Sequence, residues 1–223
     1  RMAGNDGYLA AVDVLGRREV EIPPRDDGHL TARLHEAVVR VGGCGADAAW
    51  RFQLRQAGLQ LGPRQIVEAW DRVNDGRGME ELQAYIVRQI RLLRPEVLVT
   101  HDAPRAGRFS DQYDSDQYDA PLLSLVHQAV LQAVGQAADK NAFPAQIADA
   151  GLAPWTVKKI FGAMPPGARG GSDLVASQFA TRLGRSLAET AAEPRVLLQD
   201  RFSLSPPILG FRLLINTASQ EQD

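Results

Sequence analysis

Residues 79–100 run from a helix pattern straight into a strand pattern, and that junction confines the chain to architectures in which helices pack on a sheet. In MEELQAYIVRQIRLLR, Met79, Leu82, Ile86, Ile90 and Leu93 recur at spacings of three and four, which lines one helix face with apolar side chains. Pro95 ends this helix, because a proline keeps the residue before it out of the helical region. Residues 96–100 (EVLVT) then read as a short, buried parallel strand. His101 and Asp102 follow directly. Open α/β sheets bind ligands outside the carboxyl ends of their strands, so both are candidate site-lining, substrate-binding residues. The plainer alternative leaves Asp102 capping the loop and His101 half-buried. After a polar loop, residues 121–134 (PLLSLVHQAVLQAV) read as a second helix carrying His127.

The flanking segments fill out one α/β domain over residues 1–223. Residues 8–15 (YLAAVDVL) read as the end of a helix closed by Gly16, and residues 19–22 as a strand stopped by Pro23 and Pro24. Asp26 and Asp27 belong to a turn, RDDG, rather than to a metal site. Residues 31–41 read as a helix, and His29 and His35 lack the spacing that would place two imidazoles on one helix side. Residues 42–45 (GGCG) read as a glycine-rich turn. They match neither phosphate-loop pattern and follow a helix rather than a strand. Residues 46–57 and 64–74 read as helices, the second with Pro63 in its first turn, so residues 42–76 are expected to be a helical insertion on the sheet.

Residues 102–120 read as an exposed polar loop. SDQYD occurs there twice in tandem, a duplication best accommodated where added length has little entropic effect. Its aspartates lack the spacing of an EF-hand loop. Further on, residues 143–150 read as a short helix with Pro144 at its start. Residues 157–161 read as a strand with Lys158 and Lys159 near its beginning, and residues 165–171 as a loop. Phe179, Leu183 and Leu187, at i, i+4 and i+8, predict a helix over residues 177–191. Residues 211–215 are strand-like, and residues 219–223 form a polar tail.

Composition excludes several classes of function. The formal net charge of −2 gives no electrostatic basis for binding nucleic acid or an anionic membrane. No apolar run approaches the roughly 20 residues that span a bilayer. No secretory signal pattern opens the sequence, which makes the cytoplasm the default compartment. The single cysteine, Cys44, excludes an internal disulfide and a cysteine-cluster zinc site.

Three ordered segments resemble the PIG-L/LmbE-like family of zinc-dependent N-deacetylases. They are Ile90-Arg91-Leu92-Leu93-Arg94-Pro95, then Val97-Leu98-Val99-Thr100-His101, then His127-Gln128-Ala129-Val130-Leu131-Gln132-Ala133-Val134. They match the family's I-R-x-x-R-P helix end, its V-(V/L)-(V/L)-T-H strand and its H-(R/Q)-A-V-x-x-A-V helix, and VKKIFG looks like the family's next strand. The resemblance implies a Rossmann-like fold with a mostly parallel sheet flanked by helices. It also implies a zinc ion that activates water to remove an acetyl group from an N-acetylated sugar or similar amide, in a small molecule or glycoconjugate.

In the family, zinc is held by residues of an H-P-D-D motif and by the last His of an H-P-D-H motif. Here the second motif reads Ser124-Leu125-Val126-His127, so His127 is the ligand position that carries over. H-P-D-D is missing from the sequence. Two expectations follow: the remaining ligands lie upstream in a longer parent chain, which the start on Arg1 favours, or this copy has lost the metal. The competing function is a non-catalytic relative of the same fold that binds carbohydrate or serves as a structural module. A metallophosphoesterase is disfavoured by the lack of its other motifs, and a serine hydrolase by the lack of G-x-S-x-G.

Overall fold

The computed structural model describes residues 10–14, 43–47, 62–102, 120–198 and 205–217. The expected strand at 19–22, the helix at 31–41, the tandem SDQYD loop, His29, His35 and the tail lie outside them. Strand β1 (Ala10–Val14) pairs in parallel with β2 (Gly43–Asp47). Next come α1 (Pro63–Val73), α2 (Gly78–Leu93), β3 (Val97–His101), α3 (Ala120–Ala138) and the short α4 (Pro144–Ala148). Then follow β4 (Lys159–Ala163), β5 (Ser172–Val175), β6 (Phe179–Ala180), β7 (Arg185–Ser186), α5 (Leu187–Leu198) and β8 (Ile208–Asn216). This is an α/β architecture built on a mixed sheet.

That sheet has the order β3-β4-β8-β5. The β3–β4 pair is parallel, as expected for residues 96–100, but β8 runs antiparallel to both β4 and β5. The expectation of a mostly parallel sheet is therefore corrected for these four strands. Leu98 of β3, Ile160 of β4 and Ile215 of β8 share the face that packs into the core with α2 and α3. Among the described residues β3 lies at the sheet edge, and Val97 and Val99 on its other face are each 50% exposed. The strand is thus buried on one side rather than on both.

Helices α2 and α3 largely follow their sequence patterns, although Leu93, expected on the apolar face of α2, is 44% exposed. On α2, Leu82, Ile86, Val87 and Ile90 are buried. On α3, Ala129, Ala133 and Ala137 recur every fourth residue and let the two helices approach closely. The last turn of α2 closes on Arg94, which adopts φ 48° and donates its N–H to the Ile90 carbonyl. A left-handed residue stops the helix and satisfies one of its orphan carbonyls. The guanidinium of Arg94 lies 5.9 Å from the Trp155 ring centroid, and Trp155 Nε1 donates to the Pro95 carbonyl at 2.9 Å. These contacts fix the helix-to-strand junction that the sequence announced.

α1 and α2 form a helical hairpin around the fully buried Trp70. The turn uses Asp75 and Gly76 at φ 52° and 78°. Gly78 N–H donates to Asp71 Oδ1 at 2.8 Å, a carboxylate placed at the positive end of α2. A Cβ on Gly78 would lie 2.7 Å from Trp70 Cβ and 2.8 Å from the Trp70 carbonyl carbon. One of those obstacles is backbone and cannot rotate away. Gly78→Ala is expected to destabilise the protein by about 1–3 kcal/mol, the usual range for overpacking. A urea-unfolding midpoint equal to that of the wild type would refute this close approach.

Four expectations from the sequence are corrected. Residues 10–14 are strand β1, not the end of a helix, and Gly43–Asp47, including Cys44, is strand β2, not a turn. Each is only five residues long and gains its hydrogen bonds from the other, so a distant partner overrides local preference. Ala46 and Asp47, expected to begin a helix, end β2. Residues 177–191 are not one helix: β6 and β7 form a small antiparallel hairpin, and α5 begins only at Leu187. Gly184 adopts φ 66° there. Ser186 caps α5: its N–H donates to Glu189 Oε2 at 2.7 Å, and Glu189 N–H donates to Ser186 Oγ at 3.2 Å. The backbone and hydroxyl donors of Ser186 hold the Glu189 carboxyl below its ordinary pKa.

Candidate functional site at the carboxyl end of strand β3

The residues singled out from the sequence meet where β3 ends and α3 crosses it. His127 lies on α3 and is 9% exposed. Its Nδ1 is 2.7 Å from the carbonyl oxygen of His101, the last residue of β3. A carbonyl can only accept, so Nδ1 carries the proton. In the neutral ring Nε2 then carries the lone pair, the atom that could meet a cation or a proton. The helical position of His127 is set by the apolar stripe beside it. Val130, Ala133 and Val134 pack into the core and carry the imidazole to the strand end.

His101 contributes its backbone to this contact, while the residue itself is exposed. Asp102 behaves differently. Its carboxylate is taken up by Arg212 of β8, with Arg212 Nε donating to Oδ2 at 2.8 Å and Nη2 donating to Oδ1. Asp102 also donates its backbone N–H to the Ala163 carbonyl at 3.0 Å. The side chain of Asp102 is 8% exposed and that of Arg212 47%. The hydrogen bonds to Asp102 hold the Arg212 guanidinium above its ordinary pKa. The acidic group beside His101 is therefore one half of a bidentate ion pair, and Arg212 is a member of the constellation that sequence reasoning did not find.

Gly162 makes room for this pair. It is the β4 residue opposite Arg212, and a Cβ there would sit 2.8 Å from Asp102 Cβ and 3.1 Å from Asp102 Cα. Lys158 and Lys159 lie at the opposite end of the sheet. Both donate their backbone N–H to the Glu96 carbonyl, and Lys158 Nζ is 3.2 Å from Glu96 Oε1. The parallel pairing of β3 with β4 puts a strand's length between these lysines and His127.

Among the described residues, no group of three His, Cys, Asp or Glu side chains is placed to hold a metal ion. They present one oriented imidazole, which by itself does not make the three-ligand set of a catalytic zinc. No helix among them is long and apolar enough to cross a membrane. No known family model matches the chain, and no curated protein matches it.

Proposed function

We propose that this chain carries part of the site of a zinc-dependent hydrolase of the PIG-L/LmbE type, which removes an acetyl group from an N-acetylated sugar or similar amide. One observation carries the reading. His127, the position that the resemblance assigns to a zinc ligand, is a buried histidine whose Nδ1 proton is committed to a backbone carbonyl at a strand's carboxyl end. Histidines that bind metals characteristically donate their second ring N–H to a carbonyl or carboxylate, which fixes the tautomer and the ring plane. Bound zinc would lower the pKa of water and polarise the amide carbonyl. His127 would bind through Nε2, and the substrate would be a small molecule or glycoconjugate. The parallel pairs β1–β2 and β3–β4, with α3 and α4 between β3 and β4, support reading the fold as Rossmann-like.

A second reading, a non-catalytic relative that binds carbohydrate or serves as a structural module, draws support from the Asp102–Arg212 pair. That pair occupies the carboxylate nearest in sequence to His101. The two readings separate on metal content and turnover. The native full-length protein is expected to hold about one zinc per chain and to release free amine from N-acetylglucosamine-type substrates. Chelation should abolish the activity and zinc should restore it. A full-length protein that binds no zinc and releases no amine would sink the hydrolase reading and leave the binding module.

A further inference from the structure

We infer that the Asp102–Arg212 ion pair is a positioning device for His127, holding the peptide between His101 and Asp102 so that the neutral imidazole keeps its proton on Nδ1 and its lone pair on Nε2. That geometry stands by itself; its purpose rests on the metal-site reading above.

The peptide unit joining residues 101 and 102 is engaged on both sides. Its carbonyl accepts from His127 Nδ1 at 2.7 Å, and its N–H donates to the Ala163 carbonyl at 3.0 Å. A planar peptide points these two groups in opposite directions, so tilting the plane misdirects both bonds together. The pairing of β3 with β4 stops at His101 and Ala163. Beyond that point the Asp102 side chain is the next anchor. Arg212 grips it from β8, across β4, and Gly162 leaves the space in which Asp102 lies. Two parallel N–H···O bonds from a planar guanidinium fix orientation as well as distance, which a single contact does not. The Asp102 carboxylate is almost fully buried, while the Arg212 guanidinium reaches it from a half-exposed position.

An imidazole free in water favours the proton on Nε2, the opposite of what this site requires. The tautomer of His127 is therefore a direct readout of the clamp, and it needs no metal. In long-range proton–nitrogen correlation spectra of the full chain, recorded under chelation with the ring neutral, His127 is expected to show a single Nδ1–H form. Arg212→Gln and Asp102→Asn are expected to shift it to a mixture with Nε2–H. Arg212→Lys, which keeps a cation but not the fork, should fall between.

The inference is overturned if wild-type His127 is in the Nε2–H form. It is also overturned if the folded variants keep the pure Nδ1–H form. Should Arg212→Gln fail to fold, the Lys variant decides the matter by the same spectrum. A protein that binds no zinc, yet shows the tautomer shift, would refute the hydrolase reading and leave the positioning role intact.

Discussion

Substituting Arg91 with leucine is expected to lower the free energy of unfolding by about 3–5 kcal/mol, the largest stability change of any substitution argued for this chain, since several buried carbonyls lose their donor at about 1–3 kcal/mol each. Arg91 projects from the last turn of α2 and is 1% exposed. Its Nε donates to the Ala137 carbonyl at 3.2 Å. Its Nη2 donates to the carbonyls of Gln136, Asp139 and Ala142 at 3.1, 2.8 and 2.9 Å. Its Nη1 reaches the Phe143 carbonyl and Gln146 Oε1, both at 3.4 Å. One guanidinium thus satisfies carbonyls at the carboxyl end of α3 and in the turn leading to α4, where Phe143 adopts φ 46°.

Burial opposes the charge: desolvation pulls the pKa of Arg91 below its ordinary value, and the nearby Asp139 partly offsets the shift. Replacing a buried ion pair by apolar side chains is often neutral, but only when both partners change. Here the partners are backbone carbonyls, which no substitution removes. The leucine variant leaves them buried and unpaired, so the penalty for unmade hydrogen bonds outweighs the relief from desolvation. Arg91→Lys keeps the charge on one nitrogen with three donors and should recover only part of the loss. Urea unfolding of the three proteins tests the ranking. A leucine variant within about 1 kcal/mol of wild type would mean that these contacts contribute no more than a typical net hydrogen bond.

Arg91 also shows what the sequence can and cannot disclose. The Ile90-Arg91-Leu92-Leu93-Arg94-Pro95 end of the helix is visible as a pattern, and so is the boundary at Pro95. That one of these arginines lies inside, on carbonyls up to 52 residues away, is not. The long helices are legible because apolar spacing and proline act within a dozen residues. β1 and β2 are not, because a glycine-rich pentapeptide such as Gly43–Asp47 becomes a strand only through its partner. The segment from 177 to 191 misleads for another reason. Phe179, Leu183 and Leu187 satisfy helical spacing by coincidence, while the informative signals are local. Gly184 adopts a left-handed conformation, and Ser186 with Glu189 forms a capping box that marks where the helix starts.

The same division runs through the site. His127, His101 and Asp102 stand out in the sequence by their place at a strand end and in a helix motif. Arg212 does not, since it sits 110 residues from Asp102 in a strand with no motif of its own. A register shift between Ile160 and Phe161 in the β4–β8 pairing sets which β8 residue lies opposite Gly162, and hence which side chain meets Asp102. A bulge of that kind is a tertiary event with no local signature.

Two substitutions at His127 separate its structural duty from the chemical one proposed for it. His127→Ala removes the donor to the His101 carbonyl and leaves that oxygen without this partner in a part-buried position. The expected destabilisation is about 1–3 kcal/mol. It also removes the only described zinc ligand of the proposed site. Amide hydrolysis and zinc affinity should therefore fall by more than about 100-fold, beyond the loss of an outer-shell partner. His127→Asn places an amide N–H close to where Nδ1–H stood, so the bond to His101 can re-form and much of the stability should return. It has nothing at the position of Nε2, so zinc binding and hydrolysis should stay as low as in the alanine variant. Thermal melts paired with zinc content and amine release distinguish the possibilities. Wild-type turnover in both variants would remove His127 from the chemistry. An asparagine variant no more stable than the alanine variant would remove the His101 carbonyl as its anchor. Recovery of stability without recovery of activity is the signature of an imidazole whose Nδ1 serves the fold and whose Nε2 serves the reaction.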